Sequence, residues 1–233
     1  MRRTAAAVAL LVLLALTGCT SSHRAASPPS PSPTGTPSGT TAPTPHGDYT
    51  APPPTLPVPG VAVTMSTAAA PWPAPAVIDQ GARSADYVAA AGLPYGEEVT
   101  KVHYHAHLDV IIDGQPQPVP AYIGFVAKGR SAVGLSALHT HQVDGIIHIE
   151  NSVPATFLLG QFFDEWGVRF SNECVGSYCS GGGKELGVFV NGQRQTGDVK
   201  RIVLAKHQEI AVVYGTADQL AKPPSSYHFT NGE

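Results

Sequence analysis

The chain has 233 residues, a formal net charge of −3 and 13% charged residues. No cluster of Lys or Arg accompanies that balance, which argues against a nucleic-acid partner held through phosphates. Met1 and Met65 are its two methionines, too few for a Met-rich copper(I) shuttle.

Arg2 and Arg3 form a basic start, and Ala5 to Leu16 is an apolar run too short to span a bilayer as a mature helix. Leu16-Thr17-Gly18-Cys19 follows and resembles a bacterial lipobox. Residues 1–19 therefore read as a lipoprotein signal peptide, with lipidation at Cys19 and a membrane anchor on the extracytoplasmic face. The rival reading is an ordinary signal peptide with a chance cysteine. Residues 20–75 hold 15 of the 22 prolines and two formal charges, Arg24 and Asp48. Such a segment buries too little apolar surface to offset its ordering entropy, so it reads as a disordered linker rich in polyproline II. His23 and His46 fall in it and are not expected to be ligands. Val61 to Met65 is a short apolar island that could dock on the domain.

Residues 76–233 read as one globular, His-rich domain. Ser84 to Ala91 suits a short helix capped by Ser84 and stopped at Gly92. Tyr104 to Ile112 reads as a strand, and Asp113-Gly114 signals a hairpin. Its return arm, Gln117 to Phe125, carries Pro118 and Pro120 and should be an edge strand or irregular. Two short strands are expected at Leu138 to Gln142 and Gly145 to Glu150.

Thr156 to Trp166 is the clearest helix, with an apolar stripe at Leu158, Leu159, Phe162, Phe163 and Trp166, a start at Ser152 or Thr156, and an end at Gly167. Val188-Phe-Val-Asn-Gly192 starts another hairpin. Arg201 to Leu204 and Glu209 to Tyr214 read as strands, and the tail from Thr216 as irregular. The fold class is α+β, a mixed or antiparallel sheet with one main amphipathic helix. The wording of Phe157 to Tyr214, with its VFVNG and EIAVVY segments, resembles the latter half of β-grasp sulfur carriers. That resemblance implies topology only, since the C-terminal Gly-Gly tail of those carriers is missing.

Cys174 and Cys179 remain as an even pair in an exported domain. They read as a disulfide closing a short loop, with a thiolate metal site as the rival.

The chemistry sits in the histidines. Six of the ten fall between His103 and His148. On a strand alternate residues share a face, so His103, His105 and His107 project together, as do His139 and His141, and His148 and Glu150. Imidazole is the commonest metal ligand among side chains and suits zinc and copper(II). A third histidine at i+4 lies about 13 Å from the first along a strand. The preferred ligand set is therefore His105, His107, His139 and His141, two from each strand. His103 would lie outside it or serve another ion. Asp109, Asp144 and Glu150 are the carboxylates that could orient the rings, and Glu150 could itself ligate. His148, crowded by Ile146, Ile147 and Ile149, reads equally as a core histidine or a ligand. His207 and His228 carry no argument.

His103-x-His105-x-His107-Leu108, His139-Thr-His141, Gly145-Ile-Ile-His148-Ile-Glu150 and Leu159-Gly-Gln-Phe-Phe-Asp-x-Trp-Gly167 together resemble a family of exported, His-rich bacterial and archaeal domains. The match runs from about Ala89 to Tyr214. It implies export and this histidine pattern, not an activity. His139-Thr-His141 also fits the opening of the cupin pattern, whose later glycine-spaced motif is missing here.

A metal-binding protein that captures, senses or handles zinc or copper at the cell surface accounts for these ligands most simply. The alternatives are a metal-dependent extracytoplasmic enzyme, with Glu150 or Asp144 as general base, and a structural or adhesion module. No H-E-x-x-H, G-x-S-x-G or phosphate loop supports catalysis from sequence alone.

Overall fold

A computed structural model describes residues 59–78, 83–128 and 131–230. The chain divides into Met1–Thr44 and Pro45–Glu233, and every described residue belongs to the second unit. The stretch read as a signal peptide, Cys19 and the residues read as a linker as far as 58 lie outside the described residues.

The first half holds α1 (Pro75–Ile78), α2 (Ser84–Ala90), β1 (Tyr95–Gly96), β2 (Val102–Ile112), β3 (Gln115–Gln117), β4 (Phe125–Lys128), β5 (Ser131–Ser136), β6 (Leu138–His139) and β7 (Ile146–Asn151). The second half holds α3 (Leu159–Trp166), β8 (Cys174–Val175), β9 (Tyr178–Cys179), β10 (Glu185–Val190), β11 (Gln193–Arg194), β12 (Gln208–Gly215) and α4 (Ala217–Leu220). The fold is α+β, as its alternating patterns imply.

The main sheet runs β11-β10-β12-β2-β7-β6, with β3 paired to β2. β12 lies parallel to β2, and its other neighbour, β10, is antiparallel. A parallel partner needs a long crossover, here the whole excursion through α3 and β10. The last strand thus enters the centre of the sheet, with the hairpin of β10 and β11 beside it, in keeping with the β-grasp resemblance. Both hairpin turns are left-handed at two residues, Asp113 (φ 52°) with Gly114 (φ 77°) and Asn191 (φ 49°) with Gly192 (φ 77°). That is the type I′ geometry whose twist matches flanking strands.

Period-2 alternation gives the sheet two unlike faces. Ala106, Leu108, Val110 and Ile112 of β2, Ile147 and Ile149 of β7, and Ile210 and Val212 of β12 enter one large core. The apolar stripe of α3 covers that side, with Phe162, Phe163 and Trp166 all at most 1% exposed. The opposite face carries His103, His105, His107 and Asp109, and ends in a small apolar patch of Ile111, Phe189, Ala211, Val213 and Leu220.

Several elements differ from expectation for local reasons. α3 starts at Leu159, where Gln161 Oε1 accepts from Leu158 N at 3.0 Å, so neither Ser152 nor Thr156 caps it; Gly167 (φ 74°) ends it as expected. Ser84 is the first residue of α2 rather than its cap, and its Oγ accepts from Ala127 N instead. Val199–Arg201 is a 3-10 turn with Asp198 accepting from Lys200 N, and Val203 makes an isolated bridge to Leu158. The hairpin of β4 and β5 is additional. Packing also begins before residue 75: Ser66 bridges Val168, and Trp72 is 3% exposed with its ring edge-on to Trp166. Cys174 and Cys179 are disulfide-bonded across the β8–β9 pair.

Candidate metal centre

The site is built where β2, β7 and β6 lie side by side. Register pairs His105 of β2 with His148 of β7, and His148 in turn with His139 of β6. Three imidazoles thus stand in a row across three strands, on the face away from α3. His103 pairs with Glu150, one step along. His141 follows β6 and turns back over the row.

The ring nitrogens converge. His103 Nε2 lies 3.0 Å from His105 Nε2, His105 Nε2 lies 3.0 Å from His148 Nδ1, and His139 Nε2 lies 3.2 Å from His141 Nε2. Two ligands on a tetrahedral zinc at about 2.0–2.1 Å are separated by about 3.3 Å, so these spacings are close to those an ion imposes. Two overlapping trios have their donor atoms within 4.8 Å of one another: His103, His105 and His148, and His139, His141 and His148. Glu150 Oε1 lies among them, 3.3 Å from His103 Nε2, 3.8 Å from His148 Nδ1 and 3.9 Å from His139 Nε2. Its Oε2 is buried with no hydrogen-bond donor among the described residues.

His139 has its ring orientation fixed from behind. Its Nδ1 is 2.9 Å from the carbonyl of Ser136. A carbonyl can only accept, so Nδ1 carries the hydrogen and Nε2 turns a lone pair to His141 and Glu150. Ligating histidines are commonly oriented in this way. The backbone at Gly124 (φ 74°) packs closely on β6 where this side chain starts: a Cβ there would meet Leu138 O at 2.1 Å and His139 Cβ at 3.0 Å. Phe125 stands edge-on to both His139 and His141, forming an apolar wall.

Electrostatics keep the rings ready to bind. Burial, opposed by the Ser136 hydrogen bond but reinforced by the neighbouring rings, lowers His139 to about 4. Burial and the charges of His105 and its neighbours lower His148 to about 3. Both are neutral at pH 7 and offer lone pairs. Burial raises Glu150 above the ordinary carboxylate range, His103 opposing it and Glu98 adding to it. The site is open on one side, with His103 33% and His148 20% exposed, while His139 is fully buried.

The expected quartet of His105, His107, His139 and His141 is not brought together. His107 shares the face but sits two residues further along β2. Its Nδ1 lies 2.7 Å from Glu209 Oε2, its Nε2 2.9 Å from Asp144 O, and its ring stacks on Tyr227 at 3.7 Å. His103 and His148 take the places that set gave to His107. Asp144 uses its carboxylate to accept from Ile146 N, holding the turn into β7. His207 stacks its ring on Phe229 and donates its backbone N–H to His105 O, and its ring nitrogens belong to neither histidine trio. Sequence reasoning also passed over Ser136, Phe125 and Glu209. Glu209 was detectable as the polar first step of an alternating strand; Ser136 acts through its backbone, which no side-chain pattern reveals.

Comparison with protein-family models, curated proteins and solved structures finds no match. The site is therefore read from its own chemistry: five imidazoles and one carboxylate on one sheet face, a donor set that could hold a metal ion.

Proposed function

We propose that the chain is a membrane-anchored extracytoplasmic protein that captures or hands on zinc or copper(II). One observation carries this reading. Five imidazoles, four on three strands and His141 just after β6, turn their nitrogens into two overlapping trios at spacings suited to coordination. Gathering imidazoles in this way adds little stability, because His105 and His139 lose hydration and Glu150 is the one carboxylate set among the rings. Nitrogen-rich sites suit Zn²⁺ and Cu²⁺. The open rim at His103 and His148 gives an ion a route in and out, which capture and transfer both need. The lipobox motif at Cys19 supports tethering at the membrane, with the Pro-rich segment as a spacer.

Cu²⁺ titration of the full-length chain, followed by paramagnetic resonance, tests the reading. Nitrogen hyperfine structure from at least three imidazoles is expected. His105→Ala combined with His139→Ala removes one ligand from each trio and should abolish it, while His228→Ala should not. A wild-type chain that takes up neither ion at micromolar concentration, or a double variant that binds as well, defeats the proposal.

A metal-dependent enzyme is the second reading, favoured by one feature. A cavity of about 210 Å³, lined by Tyr95, Glu98, Asn151 and Ser152, opens onto His139 and Glu150. An ion there could present a bound water to a small substrate, with Glu150 as base. Turnover of ester or amide substrates by the zinc-loaded chain, lost in Glu150→Gln, would favour this reading over capture.

A further inference from the structure

The histidine face carries a second donor group that the cluster does not use. His107, Asp109 and Glu209 each offer one atom, all within 4.8 Å of one another. Both ring nitrogens of His107 are turned to Glu209 and to the Asp144 carbonyl, so it does not share the cluster's ion. Register sets Glu209 of β12 directly beside His107, and alternation puts Asp109 on the same face.

The hydrogen bonding there is one-sided. Asp144 O faces His107 Nε2 at 2.9 Å, so that nitrogen carries the hydrogen. Nδ1 then faces the two carboxylates, with Glu209 Oε2 at 2.7 Å. Glu209 is 1% exposed, and its Oε1 has no hydrogen-bond donor among the described residues. Two carboxylates and a ring nitrogen brought this close hold negative charge that a cation, or a proton on the ring, balances.

The geometry points to a divalent-cation site on His107 Nδ1, Asp109 and Glu209, separate from the five-histidine cluster. A ring N–H held by a backbone carbonyl, with the other nitrogen turned inward, is the outer-shell arrangement of a metal-bound histidine. One nitrogen and two carboxylate oxygens form a harder set than five imidazoles, suited to Mn²⁺ or Zn²⁺. The site is shaped for the ring. A Cβ on Gly145 (φ 80°) would meet His107 Nε2 at 2.8 Å, and Tyr227 covers the ring's face. An opening of about 350 Å³ lined by Asp109, Pro118, Val143 and Asp144 gives an ion access from the side of Asp109. The competing occupant is a proton, which would make His107 and Glu209 a plain ion pair.

Mn²⁺ is the probe, because its resonance signal in solution falls as it binds. The full-length chain carrying His139→Ala and His148→Ala should still take up about one Mn²⁺ at micromolar concentration and gain thermal stability from it. Adding Asp109→Asn should weaken that uptake by about tenfold or more, the scale on which even outer-shell losses act. Glu209→Gln should do the same; should it fail to fold, Asp109→Asn, at the accessible rim, decides alone. Uptake of neither Mn²⁺ nor Zn²⁺ by the His139/His148 variant overturns the proposal, as does undiminished uptake in Asp109→Asn. Neither result bears on copper binding at the cluster, so the two sites stand or fall separately.

Discussion

Successive residues of β2 live in two different solvents. Ala106, Leu108 and Val110 are buried among aliphatic and aromatic side chains beneath α3. His105 and His107, one step away on the same strand, are nearly as buried, at 2% and 5% exposure, but among nitrogens and carboxylates. The apolar face gains free energy from removal of surface from water. The histidine face loses hydration and recovers it through two backbone carbonyls, ring–ring contacts, a proton or an ion. A single alternating strand thus separates stability from chemistry, and each face can be attacked without directly touching the other.

The largest effect is expected on the apolar face. Phe162 is fully buried between Phe163 and Trp166. Phe162→Ala should lower unfolding free energy by about 3–5 kcal/mol, the usual cost of such a cavity. Denaturant melts measure this, and Cu²⁺ affinity of the remaining folded protein should stay within experimental scatter. A change in that affinity as large as the change in stability would mean that the faces are not independent.

Glu165 breaks the division, because it is a carboxyl on the wrong side. It lies on α3, 1% exposed, and neither oxygen has a hydrogen-bond donor with good geometry among the described residues. Burial holds it well above the ordinary carboxylate range, Ser136 opposing that shift. Glu165→Leu should stabilise the fold by about 1–3 kcal/mol, the usual penalty of an unsatisfied buried polar group. Thermal melts at pH 7 would show it; a destabilised variant would mean that the carboxyl has a partner in solution.

The disulfide staples β8 to β9, whose Val175 belongs to the apolar core, so its loss should affect stability rather than metal binding. Cys174→Ser with Cys179→Ser should cost about 2 kcal/mol, on the chain-entropy scale for a short loop. Equal melts of oxidised wild type and variant would contradict that.

The sequence made the two faces legible and the pairing of residues across strands much less so. Alternation in β2, the Asp113-Gly114 turn, the stripe of α3 and the Cys174–Cys179 pair are all local signals. The separation of His107 from His105 is non-local: it depends on β12 entering parallel to β2 and bringing Glu209 alongside. His148 shows the opposite case. Its isoleucine neighbours left it open between a core position and a ligand; period-2 geometry puts Ile147 and Ile149 below the sheet and His148 above it. The Pro-rich composition before residue 75 concealed Trp72, whose indole N–H donates to Ala68 O while its ring packs on Trp166.

The effect most specific to the histidine face is in the pH dependence of the metal-free protein. His139 and His148 have pKa values of about 4 and about 3 when folded, against an ordinary 6.5. Between those limits the unfolded chain binds more protons than the folded one, so stability falls as pH falls. The stability associated with their neutral state is complete above pH 6.5 and is lost progressively down to about pH 4 for His139 and pH 3 for His148. Glu165 works in the other direction: its raised value makes stability complete below about pH 4.5 and lost as pH rises through its folded value. A metal-free melting profile should therefore decline on both sides, with the acid limb set by the histidines. His139→Asn should flatten the acid limb, Glu165→Leu the alkaline one. Bound ion should deepen the acid loss, because protons then displace a ligand as well. A metal-free acid limb left unchanged by His139→Asn would mean that the rings are hydrated in solution, and that the histidine face is not the dry, deprotonated surface described above.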